Sequence, residues 1–553
     1  MLPTVSPPQT LSPYRHIFYV LAALFAAFEL YGPTLHAPFL FDDKVLPFAA
    51  PQFEHAPLSA WISGTRPVLM FSYWLNFTLA GPNTGSFHNV NILLHAANSL
   101  LVYAVLRHFV PARWPAALLA AVFLVHPLQT ESVSYIAGRS ESLSAFFFLA
   151  AYVVFLRRPE GAVTWARSAA IIAFYVAAIL SKEHTVVLPA LLLLTDAFHS
   201  PNNIRRNWRL YIPMAVSALA GLAMVARVLA MSKSAGFNTS GATWYQYALT
   251  QTRAIFQYLR LTLLPVGQSV DHDFPISHSV TEHHTWLFLT SLVLLTGAAF
   301  YFRRRFPLAA FGFFAFLLLL APTSSIIPIN DPLAERRMYL PLLALLLVSA
   351  QAIPRFRVPI PTAIALAVLA IFSILTYQRN VVWSHPIAFW LDTVRNTPQK
   401  GRPYSHLADA AVSENSCADI APFLDDARTR LPDDYYVLTG YARILECVGR
   451  PTEAAGLLQR AAQVRPSAEV FELLGLLYGE MKDKEASREA LESALRLNPN
   501  SVSAHMAMAL WYQAADDLTN AAKAYKRVLE IEPYHGAARS ALRAIEFNLT
   551  AGP

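Results

Sequence analysis

The chain has 553 residues, 55% of them hydrophobic and only 14% charged, with a mean hydropathy of +0.37. Soluble proteins carry about 25% charged residues on average, so this composition excludes an ordinary soluble enzyme and indicates a polytopic membrane protein. The net charge of +7 lies in short arginine clusters between apolar runs, a pattern that encodes membrane topology and argues against nucleic acid as a partner.

Met1 to Tyr14 is rich in Pro and Ser and reads as disordered. The apolar run from Ile17 to Leu35 follows Arg15 and His16, and no small-residue cleavage pattern ends it, so it reads as a retained first span. Phe41-Asp42-Asp43-Lys44 follows directly, a double acid where the chain should leave the bilayer. Eleven candidate spans are expected, at about 16–36, 87–107, 115–134, 140–157, 167–181, 184–199, 210–230, 286–302, 306–322, 338–353 and 359–377. The loops 37–86, 231–285 and 322–338 then fall on one side. In the first, Leu58–Ile62 and Phe71–Leu79 suggest a helix on the membrane surface, anchored by Trp61, Tyr73 and Trp74. In the second, Tyr245–Leu264 is amphipathic, and Asp271-His272-Asp273 reads as exposed loop more readily than as a metal site.

Arginine placement orients these spans. Arg107 and Arg113; Arg157, Arg158 and Arg167; Arg205, Arg206 and Arg209; Arg303, Arg304 and Arg305; and Arg355 and Arg357 all fall in alternate connections. The positive-inside rule puts those connections and the N-terminus in the cytoplasm, and everything after about residue 378 outside. The other membrane-proximal charges then gather on the outer side: Asp42, Asp43, Arg66, Glu131, Arg139, Glu141, Lys182, Glu183, Glu335 and Arg336 among them. Cations there oppose the topological bias and need an acidic partner or an anionic ligand. The alternative reading is that the adjacent residues Lys182 and Glu183, and Glu335 and Arg336, simply pair with each other.

Beyond Arg379 the composition changes to charged, Ala/Leu-rich helical periodicity. Pro432, Pro466, Pro499 and Pro533 recur at spacings of 34, 33 and 34, the tetratricopeptide period. Repeats are expected at 401–434, 435–467, 468–501 and 502–535, with a closing helix over 536–549. The fold class is therefore all-α: a membrane domain over 1–378, a connector over 379–400, and a tetratricopeptide-repeat solenoid over 401–553. Cys417 and Cys447, the only two cysteines, suit either a disulfide or two buried thiols.

A carboxylate pair with several cations at the outer surface suits a substrate with a phosphate headgroup and a lipid tail. The cations hold phosphate while an acid handles a proton. The ordered set Phe41-Asp42-Asp43, Arg66-Pro67, Phe87-His88-Asn89-Val90-Asn91-Ile92-Leu93-Leu94-His95, His126-Pro127 with Thr130-Glu131, Gly138-Arg139-Ser140-Glu141, Lys182-Glu183 and Glu335-Arg336-Arg337-Met338-Tyr339-Leu340-Pro341 resembles the transmembrane and tetratricopeptide-repeat containing O-mannosyltransferases. These belong to the GT-C superfamily of polyprenyl-phosphate-sugar-dependent glycosyltransferases. The resemblance covers nearly the whole chain, with fewer repeats here than in animal members.

The resemblance implies an inverting transfer of a sugar, mannose by family, from a polyprenyl-phosphate donor in the outer leaflet to an acceptor hydroxyl. That hydroxyl would be a Ser or Thr of a protein docked on the repeats. Asp42 or Asp43 would be the general base, Asp42 being preferred. Arg139, Lys182, Arg336 and Arg66 would hold the donor phosphate, supported by Glu131, Glu141, Glu183 and Glu335. A divalent metal, where one is used, would sit at Asp42 and Asp43. His88 and His95 read as buried polar packing. As a bacterial member the protein would lie in the inner membrane, with its repeats in the periplasm. Two other readings fit parts of the sequence: a polysaccharide polymerase or ligase, and a membrane-anchored repeat scaffold.

Overall fold

The computed structural model describes residues 13–50, 53–54, 56–158, 163–199, 202–232, 234–237, 241–352 and 360–551. The N-terminal Pro/Ser-rich stretch and the Arg355–Arg357 turn lie outside the described residues. Helices account for the named elements, and one isolated bridge, Ala235 to Ile329, is the β-structure among the described residues. The chain divides into two compact units, one of residues 1–43 with 62–384 and one of residues 44–61 with 385–553.

Among the described residues of the first unit six helices are long and apolar enough to cross a membrane: Ile17–His36, Thr84–Phe109, Ile136–Leu156, Trp208–Met231, Glu282–Arg304 and Ala363–Trp383. Their roles differ. Ile136–Leu156 is 78% buried and Thr84–Phe109 50%, whereas Glu282–Arg304 is 6% buried. The first two are the centre of the unit, and the third presents apolar side chains outward on nearly every face. A helix that is apolar all round and exposed on most sides needs lipid, so this is an integral membrane protein.

The expected segment 115–134 is not one straight span. Arg113–Val125 and Pro127–Val133 meet at a 51° bend. Pro127 cannot donate to the preceding turn, and His126 caps the break: its Nδ1 accepts from the Leu128 N–H at 3.2 Å, and its Nε2 bonds the Thr262 carbonyl at 2.9 Å. The other short segments are Trp165–Ser181, Pro307–Leu320 and Pro341–Ala350. The last two pack backbone to backbone at Gly312, where a Cβ would lie 2.7 Å from the Ala344 carbonyl oxygen. The expected surface helix is also corrected in part. Pro67–Ala80 forms, but Tyr73 is fully buried and Trp61 is 3% exposed. They are packing residues and not interface anchors.

The second unit carries four antiparallel helix pairs: Arg402–Ser413 with Cys417–Arg430, Tyr435–Cys447 with Pro451–Val464, Ala468–Glu480 with Lys484–Leu497, and Val502–Ala514 with Leu518–Ile531, closed by Gly536–Ala551. Asp434, Ser467, Asp483, Ser501 and Asp517 each cap a helix N-terminus through the side chain, satisfying backbone donors that the helix leaves free. Small residues let the pairs close. Gly440 lies over the Ser405 backbone, and Gly475 over the Leu491 side chain. Cys417, opening one helix, and Cys447, closing the next, are joined in a disulfide.

Candidate active site

Several helix ends of the first unit meet around the double acid. The first span passes through the turn Gly32–His36 into the turn Phe41–Val45. Phe41 has φ 47°, an uncommon conformation for a bulky residue, and the two acids that follow part company. Asp43 is buried, and its carboxylate accepts the backbone N–H of Leu40 at 3.2 Å and of Ala137 at 2.7 Å. Burial pushes the Asp43 carboxyl up to about 8, against those two donors. Asp42 is exposed, with its backbone N–H donating to the Tyr135 hydroxyl at 2.8 Å.

Around this turn stand the other residues expected from sequence. Arg66 forks onto Glu183, Nε to Oε2 at 2.9 Å and Nη2 to Oε1 at 2.6 Å. Lys182 pairs with Glu141 and lies 3.2 Å from the Ser140 hydroxyl. His184 Nε2 is 3.5 Å from the same Glu141 carboxylate. Arg336 pairs through its guanidinium with Glu131, whose other oxygen accepts the Arg336 backbone N–H at 2.8 Å. The sequence neighbours therefore do not neutralise each other: Lys182 and Glu183 face different partners, as do Glu335 and Arg336. Glu335 accepts from Gln268 Nε2 at 2.6 Å and the Ser269 N–H at 2.8 Å, and meets His272 Nε2 at 2.9 Å.

Each of the three ion pairs is graded in depth. Side-chain exposure is 32% for Arg66 against 23% for Glu183, 14% for Lys182 against 6% for Glu141, and 26% for Arg336 against 3% for Glu131. The carboxylates sit deeper and hold the cations from behind. Burial alone would raise Glu183, but Arg66 outweighs it and holds that carboxyl down at about 2. Burial lowers Lys182, Glu141 opposes this, and the nearby Arg66 and Arg336 charges lower it further. Each cation is balanced by its own carboxylate, and the three pairs lie within electrostatic reach of one another.

Arg139 departs from its expected place among the phosphate holders. It is fully buried and enclosed by protein. Nε donates to Asn91 Oδ1 at 2.8 Å, Nη2 to Asn76 Oδ1 at 2.8 Å and the Phe87 carbonyl at 2.9 Å, and Nη1 to the Ser72 carbonyl at 3.3 Å. The guanidinium also lies over the Tyr73 ring, 4.7 Å from its centroid. It ties the helix Pro67–Ala80 to two spans and presents no free edge to a ligand. His95, joined to Tyr339 at 2.8 Å and to the Leu124 carbonyl at 3.0 Å, is likewise internal packing.

Both Asp43 oxygens are taken by backbone donors, and among the described residues no three His, Cys, Asp or Glu side chains converge to hold a metal. His272 of the Asp-His-Asp triplet is spent on Glu335.

Sequence reasoning passed over Tyr135 and Asn76, took Tyr73 for a membrane-surface anchor, and cited Asn91 without a role. Asn91 was accessible, since His88, Asn91, His95 and Asn98 form a polar stripe along one face of the span Thr84–Phe109. Tyr135 had no such pattern.

A tetratricopeptide-repeat family model matches residues 468–501, the third helix pair. Among curated proteins, a protein O-mannosyl-transferase of Caenorhabditis elegans is 25% identical over 357 residues, covering 62% of this chain and 50% of its own. The Drosophila melanogaster protein O-mannosyl-transferase Tmtc1 is 27% identical over 289 residues, 49% of this chain and 31% of its own. This chain resembles the protein O-mannosyl-transferases. The ordered motifs from Phe41 to Pro341 led to the same family. The chain spans half or less of the length of the curated relatives it matches. A solved tetratricopeptide-repeat protein of Thermus thermophilus matches at 16% identity and a TM-score of 0.28, covering 32% of this chain and 95% of its own.

Proposed function

We propose that this protein is a membrane glycosyltransferase that moves a sugar, mannose by its relatives' names, from a polyprenyl-phosphate donor to a Ser or Thr hydroxyl of a protein held by the repeats. The observation that carries this reading is the set of three partly exposed cations, Arg66, Lys182 and Arg336. Each is braced by a deeper carboxylate, and they stand near an exposed acid, Asp42. Preorganised cations beside an exposed carboxylate suit displacement of a phosphate leaving group by an alcohol.

In that reaction the Asp42 carboxylate takes the hydroxyl proton as the acceptor oxygen attacks the sugar C1. The bond from C1 to the phosphate oxygen breaks, its electron pair leaves with the lipid phosphate, and the configuration at C1 inverts. Arg66, Lys182 and Arg336 meet the charge that grows on that phosphate. Glu183, Glu141 and Glu131 fix the cations in advance, so little reorganisation is left for the transition state. Arg139 holds the frame. Asp43 holds the turn that displays Asp42.

The charge pattern supports a cytoplasmic N-terminus with the acid turn and the repeats outside, the periplasm for a bacterial inner-membrane protein. The Cys417–Cys447 disulfide supports the same side, because disulfides persist in oxidising compartments.

The test uses the full-length protein in liposomes with a Ser/Thr-rich peptide acceptor. Mannose should transfer from polyprenyl-phosphate mannose and not from a nucleotide-linked mannose. Arg336→Ala should cost about 100-fold or more in kcat/KM for the lipid donor. Transfer from the nucleotide sugar alone, or an unimpaired Arg336→Ala, would contradict the reading.

A further inference from the structure

Successive first helices of the repeat pairs share one face. Arg443, on Tyr435–Cys447, reaches Asp409 of the pair before it and Glu469 Oε1 of the pair after it, the latter at 3.2 Å. The Ser503 hydroxyl, on Val502–Ala514, donates to Glu472 Oε2 at 2.7 Å. These contacts join all four pairs along the face that stacked repeats offer to partners. Between Ala468–Glu480 and Val502–Ala514 the face opens into a pocket of about 700 Å³, lined by Leu476, Met506 and Leu510 and by Ser503, Glu532 and His535. Leu476 is 44% exposed and Leu510 54%, while Leu474 and Leu477 beside Leu476 are buried in the repeat core. Exposed leucines gathered in a recess mark a contact site.

The charge around this groove is one-sided. Glu469, Glu472, Leu476 and Glu480 follow one another at helical spacing on Ala468–Glu480, so they lie along one stripe. Glu446 adds a fourth acid from the neighbouring helix. The one Lys or Arg on these three first helices is Arg443, and it is committed to Asp409 and Glu469. Among the described residues no cation forms an ion pair with Glu446, Glu472 or Glu480. The second helices spend their arginines elsewhere, Arg460 on Asp433, Arg488 on Glu485 and Arg527 on Glu530. His535 uses Nδ1 to accept the Ala538 N–H at 3.2 Å. Burial and the Glu480 charge raise the Glu446 carboxyl. Burial raises Glu472 as well, against the Ser503 bond and with Glu469 adding to it. The whole chain carries +7, so an acidic groove does not follow from bulk composition.

We infer that this groove docks an extended segment of the acceptor protein that carries a Lys or Arg and an apolar residue. The apolar side chain enters the recess of Leu476, Met506 and Leu510, and the cation supplies the charge that Glu446, Glu472 and Glu480 lack. Complementary charge selects the segment and the apolar contact retains it. This deepens the proposed function and rests on the reading that the repeats hold the acceptor.

The experiment uses the full-length protein in liposomes and labelled Ser/Thr peptides of equal length, each with the same Leu and with Lys, Gln or Glu at the same positions. Binding is read by fluorescence anisotropy without donor, and sugar transfer from polyprenyl-phosphate mannose is measured separately. The Lys peptide should bind about tenfold tighter than the Gln peptide, the scale of one hydrogen bond to a charged group, and added salt should erode the difference. Glu446→Gln combined with Glu480→Gln should abolish that advantage, leaving Kd for the Gln peptide, kcat and melting temperature unchanged. Leu476→Ala combined with Leu510→Ala should weaken every peptide roughly tenfold by removing apolar contact. A Lys peptide bound no tighter than the Gln peptide, or a preference that survives the double Gln variant, overturns the inference. So does preference for the Glu peptide, or variants that change only self-association of the protein, because a second copy then fills the groove. Transfer that proceeds equally to all three peptides refutes the dock and leaves the proposed function standing. Selective binding of the Lys peptide with transfer to none of them upholds the groove's preference and removes the proposed function.

Discussion

At the residue scale the site rests on differences between neighbours. Asp42 and Asp43 are adjacent, yet one faces solvent and the other is clamped by two backbone donors. The sequence singled out the double acid as a candidate, but not the different surroundings of its two carboxylates, because those depend on Ala137, 94 residues away. Arg139 was read as a ligand residue from its position in the ordered motif. Its enclosure by Asn91, Asn76, Phe87 and Ser72 is a long-range fact that no local pattern carries. Arg139→Lys should therefore damage folding more than chemistry. Lysine cannot reproduce the planar fork, and the loss should reach about 3 kcal/mol, seen as a lower melting temperature in detergent. A variant as stable as wild type would refute the structural role. Asp43 gives a pH prediction. Its folded value, raised by burial to about 8, lies above the ordinary carboxyl value. The stability it contributes is thus fully present at low pH and is lost as pH rises through about 8. Melting temperature should fall between roughly pH 4 and pH 8, the window between the ordinary carboxyl value and the raised one, and Asp43→Asn should flatten the fall. Equal slopes in both proteins would contradict it.

At the element scale the sequence located helices better than it described spans. Each expected segment contains a helix, but 115–134 is bent at His126-Pro127, and 184–199 begins as the turn Glu183–Val187 before Leu188–His199. Proline announces such breaks. The hydropathy window averages across them. The broken span is functional in form, since Pro127–Val133 brings Glu131 against Arg336 and leads into Tyr135. Gly138 makes this possible, because a Cβ there would stand 2.6 Å from the Glu131 carbonyl oxygen and 3.0 Å from that of Ser132. Gly138→Ala should lower stability by about 1–3 kcal/mol through overpacking and reduce activity with it. Gly64→Ala, with nothing within 4 Å of the added carbon, is the control. Matching melting curves for the two variants would show that the close approach is not structural.

At the scale of the whole molecule the repeats were the most legible part. Pro432, Pro466, Pro499 and Pro533 mark a local period, and each repeat packs on its neighbours, so sequence order and spatial order coincide. The membrane unit follows no such rule, and its ion pairs join segments that periodicity treats as independent. The Cys417–Cys447 link closes a loop of 30 residues and should contribute about 3 kcal/mol to the repeats. In cells, both thiols should resist maleimide labelling until a reductant is added. Labelling without reductant would place the repeats in a reducing compartment and reverse the proposed orientation.

The central claim is that Asp42 takes the acceptor proton. It is tested most directly by sugar transfer from polyprenyl-phosphate mannose with Asp42→Asn and Asp43→Asn, each normalised to folded, inserted protein. Asp42→Asn should lose at least about 100-fold in kcat at an unchanged melting temperature, while Asp43→Asn should lose stability and keep most of its turnover. An Asp42→Asn protein that transfers sugar at the wild-type rate would contradict the account.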